Sequence, residues 1–249
     1  FGKNGFNGPQ WLGNGALLVT GNDVENTELD PIESEIYRVE LSDMSISALT
    51  QRDGPDFAPA VAPNGSRIAY LGFDDRLKSY QHTEVYVMQP DGSGSRNLTA
   101  DYGRSIDAIA WRSDGRGLVA QSEVDGNLTL ISIDLSGKVT SLIKDIGGTS
   151  LGRPYASGSF SVASKAGGGS PLIAYTKGSE NRPAEVGLAR GGGSTRQLTQ
   201  LNEDALGGVN LAKIEEIQIQ STHDGRQIEA WIALPPGFQP DGSYPTILE

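Results

Sequence analysis

A turn dipeptide recurs along this chain at a spacing of 50 residues, each time between two apolar segments. The dipeptides are Asn14-Gly15, Asn64-Gly65 and Asp114-Gly115. Asn-Gly and Asp-Gly accept positive φ at both central positions, as a two-residue β-hairpin turn requires. The flanking positions are apolar in one register, with Trp11, Val61 and Trp111 before the turns and Leu18, Ile68 and Leu118 after them. The repeat therefore predicts a series of strand-turn-strand units.

Each repeat unit reads as four short strands joined by turns. The third unit shows this best, with strand-like segments at 106–111, 118–121, 127–133 and 139–142. Units of four strands and about 40 to 50 residues are typical of β-propeller blades, whose sheets pack face to face around a channel. The expected fold class is all-β, a partial β-propeller of four-stranded antiparallel meanders. Four blades are predicted, at residues 9–50, 57–100, 106–143 and 155–199.

The amino-acid totals restrict the partners that such a propeller can bind. Lys plus Arg total 20 and Asp plus Glu total 31, so the net charge of −11 argues against nucleic acid. The chain has no cysteine, which excludes a disulfide framework and a cysteine nucleophile. No apolar run approaches the roughly 18 residues of a membrane helix, so no membrane partner is expected. The totals leave open a cytoplasmic or periplasmic location and the formation of a homo-oligomer.

The two edges of each predicted blade differ in loop length. In a four-stranded meander the first and third turns share one edge, while the second connection and the link to the next blade share the other. The second connection is long in two blades, at 21–34 and 72–83, and long loops commonly carry binding residues. The first loop is acidic and could meet a substrate's amino terminus or a partner's basic patch, although such clusters are more often simply solvated. Its carboxylates are Asp23, Glu25, Glu28, Asp30 and Glu33.

Aromatic residues recur at equivalent places in the repeat. Trp11 and Trp111 precede the first turn of their units, and Tyr37 and Tyr86 lie in the third strand. This placement favours packing between neighbouring blades over a platform for a ligand.

The sequence changes character after residue 206. An alternating segment at 214–220, a polar corner at 221–225 and a second apolar segment at 228–234 predict a hairpin outside the repeat. Pro235-Pro236-Gly237 then ends the pattern, and residues 244–249 read as the start of a buried strand. The tail therefore predicts the beginning of a different structural unit.

This tail resembles the junction between propeller and catalytic domain in the prolyl oligopeptidase family of serine peptidases, particularly its acylaminoacyl peptidase and dipeptidyl aminopeptidase branches. The family pattern there is S-x-D-G, I, W, P and Y-P, and the matching residues are Ser221, Asp224, Gly225, Ile228, Trp231, Pro235, Tyr244 and Pro245. Three units also end in Leu-Thr, as blades of this family do, at Leu49-Thr50, Leu98-Thr99 and Leu198-Thr199. Ala230 and Ser243 depart from the family's frequent choices and leave the branch open.

The resemblance implies a division of the chain near residue 205. Residues 1–205 would be the C-terminal part of the propeller, and residues 206–249 the linker and first strands of an α/β-hydrolase catalytic domain. In that family the propeller restricts entry to short peptides, and the hydrolase domain carries the Ser, Asp and His. Those residues would follow residue 249, so this segment alone is expected to be inactive. Its expected partners are a short peptide substrate and its own hydrolase domain, with no cofactor.

Several segments imitate a catalytic or metal site without the context that such a site needs. Residues 148–152 match G-x-S-x-G, but no helix signal follows the serine and the segment lies between two blades. Ser221, His223 and Asp224 supply triad residue types, yet neighbours on one hairpin corner cannot form the spatial relay of a triad. His82 has no second ligand at a metal-binding spacing. The sequence therefore predicts no catalytic, cofactor-binding or metal-binding residue in these 249 residues.

Two other functions compete with the peptidase hypothesis. A non-catalytic TolB-type propeller would hold a protein partner on its long loops, but it gives no reason for residues 206–249. A propeller glycosidase or lyase would need paired carboxylates or metal ligands on inner strands, which here are mostly apolar or small. The sequence does not indicate the preferred cleavage site, the kind of amino terminus removed or the total number of blades.

Overall fold

The computed structural model describes residues 6–22, 29–30, 32–144, 146–148, 157–163 and 170–248. Within these ranges sixteen strands form four antiparallel sheets, each with its strands in sequence order. Sheets 1 and 2 contain β1 (Phe6–Leu12), β2 (Ala16–Gly21), β3 (Glu35–Glu40), β4 (Ile46–Ala48), β5 (Asp56–Val61), β6 (Ile68–Gly72), β7 (Glu84–Met88) and β8 (Arg96–Asn97). Sheets 3 and 4 contain β9 (Ile106–Trp111), β10 (Gly117–Val124), β11 (Asn127–Asp134), β12 (Val139–Ile143), β13 (Phe160–Val162), β14 (Leu172–Ser179), β15 (Arg182–Arg190) and β16 (Thr195–Gln197). The predicted all-β class with four-stranded meanders is confirmed.

A short helix and a hairpin follow the fourth sheet: α1 (Glu203–Leu206), β17 (Lys213–Gln220) and β18 (Gln227–Leu234). The buried strand predicted at 244–249 is wrong for the residues that the structure describes, because Ile247 and Leu248 are 92% and 97% exposed and form no strand. An apolar run becomes a strand only beside a partner strand and a core, and no described segment supplies either there. None of the described helices is long and apolar enough to cross a membrane.

The first turn of sheet 2 has a different geometry from the predicted one. In sheet 2 the Gly65 N–H donates to Ala62 O at 2.8 Å, which gives a type I turn followed by a left-handed glycine with φ +68. Pro63 presets the first central position of that turn. Asn64 has no positive φ, and its Oδ1 accepts from Ser66 N at 3.1 Å. The prediction of positive φ at both dipeptide positions was therefore wrong for this turn.

The two-residue turn with two positive φ angles occurs between β10 and β11. It consists of Asp125 at φ 50 and Gly126 at φ 65. This turn joins the two longest strands of sheet 3, which pair without interruption from Gly117–Asp134 to Val124–Asn127. Because the two strands remain paired up to the turn, a two-residue connection with two positive φ angles joins them.

The core consists of apolar layers between successive sheets. Leu18 and Ile36 of sheet 1 meet Ile68 and Met88 of sheet 2 in the first layer. Two further layers join sheet 2 to sheet 3 and sheet 3 to sheet 4. Sheets 2 and 3 are covered on both faces, so β6 is buried along its whole length. Face-to-face stacking of this kind is the packing of β-propeller blades.

The two equivalent tryptophans differ in burial. Trp111 is 8% exposed and donates from its indole to Ala60 O of sheet 2 at 2.8 Å. Trp11 is 63% exposed. An indole at this repeat position packs on the preceding sheet, and no described sheet precedes sheet 1. The prediction of packing between blades is confirmed for Trp111, and for Tyr86 in the first layer, while for Trp11 it stays a prediction.

The Leu-Thr pairs that end three repeat units have a common structural role. The threonines Thr50, Thr99 and Thr199 lie beyond the last strand of their sheets. Each hydroxyl accepts a hydrogen bond from a third-strand N–H at 2.8 to 2.9 Å, and the donors are Ile36, Val85 and Val186 in the same order. The leucine before each threonine donates its own N–H to the carbonyl of that same residue. Each pair thus satisfies both backbone groups of one third-strand residue after the regular ladder has ended.

Candidate functional site

One edge of the four sheets carries the connection from the second to the third strand of each sheet. We call this edge the loop rim, and its connections are 22–34, 73–83, 125–126 and 180–181. The links from one sheet to the next reach the same edge because each sheet is a four-stranded meander. Sheets 1 and 2 contribute the two long connections.

A group of charged side chains lies at the loop rim where sheets 1 and 2 meet. Arg52, in the link between these sheets, donates from Nη1 to Asp74 Oδ1 at 2.9 Å and pairs through Nη2 with the Asp56 carboxylate. Its guanidinium lies 3.9 Å from the centroid of the Tyr86 ring. One cation therefore connects the link, β5, β7 and the 73–83 connection. We call Arg52, Asp56, Asp74, Tyr86 and Glu35 the Arg52 cluster.

Glu35 is the member of the Arg52 cluster with the least compensated charge. Its Oε2 is buried and has no hydrogen-bond partner. Burial raises the pKa of Glu35 to about 7; a hydrogen bond from Thr50 lowers it, and the charges of Asp56 and Glu33 raise it further. Burial also raises the pKa of Asp56, against the lowering effect of Arg52. Perturbed carboxyls gather at functional sites, so this corner is our strongest candidate among the described residues.

Glu35 has counterparts in two other sheets, and the three carboxylates have different surroundings. Glu35, Glu84 and Glu185 each precede the residue whose N–H is accepted by a blade-ending threonine. Hydrogen bonds, first of all from the Thr199 hydroxyl, lower the pKa of Glu185 to about 2. The donors are Thr199 Oγ1, Leu201 N, Asn202 N and Asn202 Nδ2 for Glu185, and Tyr86 Oη and Asn97 Nδ2 for Glu84. The same repeat position thus holds two carboxylates that accept several hydrogen bonds from the protein and one carboxylate with a buried oxygen that accepts none.

A cleft of about 210 Å³ opens beside the Arg52 cluster. The 73–83 connection forms most of its wall, and His82 lies there with its ring 5.5 Å from that of Tyr80 in an edge-on contact. The lining carries both signs of charge, with residues Phe73, Asp74, Arg76, Lys78, Tyr80, Gln81, His82 and Glu84. Asp74 belongs to both the cleft and the cluster, so the two features are continuous.

The hairpin of β17 and β18 lies against the other part of the loop rim. Trp231 covers the Asp125-Gly126 turn of sheet 3 so closely that a Cβ on Gly126 would overlap its ring. Asn181, in the matching turn of sheet 4, donates from Nδ2 to Ala212 O at 3.0 Å. The hairpin therefore docks on sheets 3 and 4, on the same edge that carries the long connections of sheets 1 and 2.

The two faces of this hairpin differ in polarity. The face that carries Trp231 also carries Glu216 and Glu229, by the alternation of paired strands. The opposite face is mostly apolar: the charged pair Lys213 and Glu215 lies at one end, and the remaining residues are Ile217, Ile219, Ile228, Ala230, Ile232 and Leu234. Ile219, Ile228 and Ile232 are exposed there. An apolar sheet face of this kind ordinarily packs against another layer.

Of the residues singled out from the sequence, some lie in a turn and others lie outside the described part of the chain. Ser221, His223 and Asp224 form the corner between β17 and β18, where Asp224 Oδ1 accepts from Arg226 N at 3.2 Å and Ser221 O accepts from Gly225 N at 3.0 Å. They form a turn, as predicted. Asp23, Glu25, Glu28 and most of the 148–152 segment lie outside the described residues. Across the part of the chain that the structure describes, no three acidic or histidine side chains are grouped to hold a metal ion.

The stacked sheets and the docked hairpin define a class of protein, a β-propeller portion followed by a hairpin outside the stack. The chain is 26% identical over 199 residues to dipeptidyl-peptidase 5 of Arthroderma otae, and the match covers 78% of this chain and 26% of that protein. It therefore spans about a quarter of the length of this curated relative. Among solved structures, uncomplexed acylaminoacyl peptidase of Pyrococcus horikoshii superposes with a TM-score of 0.65 at 18% identity, over 91% of this chain and 32% of that one. The predicted resemblance to the propeller region of prolyl oligopeptidase family peptidases is confirmed.

The chain is also similar to a TolB-type propeller, the alternative class considered from the sequence. The putative TolB of Agrobacterium tumefaciens superposes with a TM-score of 0.52 at 18% identity, over 74% of this chain and 61% of that one. This match is weaker in both TM-score and coverage of the present chain than that of the acylaminoacyl peptidase. No family model matches the chain.

Proposed function

We propose that this chain is the propeller portion of a serine peptidase that hydrolyses short peptides, together with the first hairpin of its α/β-hydrolase domain. In this proposal residues 1–205 belong to the propeller and residues 206–249 lead into the catalytic domain. The Ser, Asp and His of the triad lie in the sequence after residue 249, and no cofactor takes part.

The observation that carries the proposal is the position of the β17–β18 hairpin. The hairpin is fixed to the loop rim through Trp231, one of the residues that match the peptidase pattern. Its apolar face points away from the contact with Gly126 and remains exposed. A further sheet or helix layer on that face would lie over the loop rim, and it would place a catalytic domain opposite the long connections of sheets 1 and 2.

The loop rim then has a role in substrate access. A peptide reaching the catalytic domain would pass the 73–83 connection and the cleft of mixed charge beside Asp74. Mixed charge suits a short peptide, which carries an amino group, a carboxylate and several amides. The Arg52 cluster would hold the two long connections in place while the peptide enters.

A fluorophosphonate probe tests the proposal on the complete protein. We expect covalent labelling of one serine whose sequence position is beyond 249, and hydrolysis of dipeptidyl or acylaminoacyl p-nitroanilides that the probe abolishes. Residues 1–249 expressed alone serve as the control and should remain unlabelled. A complete protein that is folded but neither labelled nor active would contradict the proposal and favour a TolB-type binding propeller. Labelling of a serine within residues 1–249 would also contradict it.

A further inference from the structure

The end of the 22–34 connection is fastened to the link between sheets 1 and 2. Glu33 Oε2 accepts from Gly54 N at 3.0 Å, and Ser34 O accepts from Asp56 N at 2.7 Å. The Ser34 hydroxyl also donates to Asp56 O at 3.2 Å. These contacts are the means by which this part of the long connection is held against sheet 2.

Glu35 follows these contacts directly and lies in a corner with a shortage of donors. Its buried Oε2 has no partner, and the single hydroxyl proton of Thr50 is within reach of both Glu35 and Asp56. Arg52 is already committed to Asp56, Asp74 and the Tyr86 ring. The titratable and charged groups that face this corner are Asp30, Glu33, Asp53, Asp56, Asp74, Arg52, Tyr70 and Tyr86. Carboxylates therefore outnumber cations, and a charged Glu35 has no counter-ion of its own.

We propose that Glu35 is a proton-controlled anchor, which holds residues 32–34 against the link between sheets 1 and 2 when it is protonated and loosens them when it ionises. A protonated Glu35 supplies the hydrogen-bond donor that the corner lacks. An ionised Glu35 repels Glu33 and Asp56, which carry the contacts to Gly54 and Ser34. Proton binding therefore controls the mobility of residues 32–34 and of the residues in the link that they contact.

The direction of the pH response follows from the carboxyl's surroundings. Because burial raises the pKa of Glu35 to about 7 from an ordinary value of 4.5, the folded state binds its proton more tightly than the unfolded chain. The stabilisation is complete below pH 4.5 and is lost as the pH rises through about 7. The anchor therefore opens on the alkaline side of neutrality.

Hydrogen exchange in the complete protein measures this anchor directly. Peptides covering residues 32–36 and 52–56 are followed from pH 5.5 to 8.5, with a peptide from β10 and β11 as the internal reference for intrinsic exchange. We expect exchange at the two sites to rise about tenfold relative to the reference, less than the full pKa shift implies, because Glu35 is only half-buried. Glu35→Gln should remove this rise, since the amide stays neutral and still donates a hydrogen bond.

Two variants separate the anchor from general destabilisation. Glu84→Gln, at the equivalent position of sheet 2, should retain the pH response of the unchanged protein. Glu33→Gln keeps an oxygen for Gly54 N but removes a facing charge, so the midpoint of the response should move to lower pH. An unchanged response in Glu35→Gln would overturn the proposal, and so would an unchanged midpoint in Glu33→Gln if Glu35→Gln fails to fold. Peptidase activity is not the readout, so this result is independent of the proposed function.

Discussion

The hydroxyl of Thr99 replaces a backbone acceptor at the end of a sheet. It is buried and accepts from Val85 N at 2.9 Å after the β7–β8 ladder has ended. Thr99→Val keeps the shape of the side chain but leaves that buried N–H without a partner. We expect a loss of about 1–3 kcal/mol in the free energy of unfolding, measured by urea denaturation. Thr140→Val, at an exposed position of β12, should change stability by less than about 0.5 kcal/mol, and an equal loss there would contradict this role.

Ala58 adopts a backbone conformation that favours glycine. Its φ is 50, and it lies at a β-bulge in β5, where pairing with β6 shifts between Phe57 and Ala60. The equivalent bulge in β1 contains Gly8, with φ 59. Ala58→Gly should stabilise the protein by about 0.5–1 kcal/mol, because relief of left-handed strain exceeds the added flexibility of the unfolded chain. Ala108→Gly, in β9 without a positive φ, should destabilise it, and thermal unfolding compares the two.

At the scale of elements, the hairpin's attachment depends on the contact between Trp231 and Gly126. Gly126→Ala would meet both left-handed backbone strain at φ 65 and the Trp231 ring. Gly65→Ala has nearly the same strain, at φ 68, but open space around the added methyl group. We expect Gly126→Ala to be the more destabilising and to increase hydrogen exchange in β17 and β18.

Removing the ring tests whether the contact itself is responsible. In a Trp231→Ala background, the two alanine substitutions should have nearly equal costs, of about 1–2 kcal/mol each from backbone strain. If Gly126→Ala remains more costly than Gly65→Ala without the indole, the proposed docking contact would not explain the difference.

The elements were largely predictable because they depend on local patterns. Turn dipeptides and period-two alternation located the four meanders and the hairpin that follows them. The turn geometry was not predictable from Asn64-Gly65 alone, since Pro63 and the Ser66 N–H select a type I turn. The segment at 244–249 reads as a strand by composition, but a strand also depends on a partner that the local sequence does not specify.

The Arg52 cluster could not be predicted in the same way. Arg52 lies in a link between sheets, and its partners come from three other elements that only the folded chain brings together. The one local signal was the repeated Glu before an apolar third-strand residue, with a threonine some 14 residues later. That signal gives the same prediction for Glu35, Glu84 and Glu185, whereas their hydrogen bonds and charges differ. Side-chain environment, and hence chemistry, depended on tertiary contacts.

At the scale of the whole molecule, the burial of each sheet depends on its neighbours. The two middle sheets have an apolar layer on each face, whereas sheet 1 exposes Trp11 on one side and sheet 4 exposes Val186 and Leu198. Stacked repeats are stabilised mainly by the interfaces between them, so sheets with one uncovered face contribute less to stability. The long connections of sheets 1 and 2 and the β17–β18 hairpin lie on the same edge of the stack, the loop rim.

Residues 1–249 expressed alone should therefore associate and unfold without a sharp transition, because exposed sheet faces and strand edges remain uncovered. Size-exclusion chromatography and a thermal scan by circular dichroism measure both properties, and a monomer with one cooperative melt would contradict the expectation.

A matched pair of variants in the complete protein compares the contributions of Trp11 and Trp111 to stability. Trp111→Ser should cost about 3–5 kcal/mol, because it empties the layer between sheets 2 and 3. Trp11→Ser should cost an equal amount only if another part of the complete protein covers sheet 1; a change below about 0.5 kcal/mol would show that this indole stays exposed.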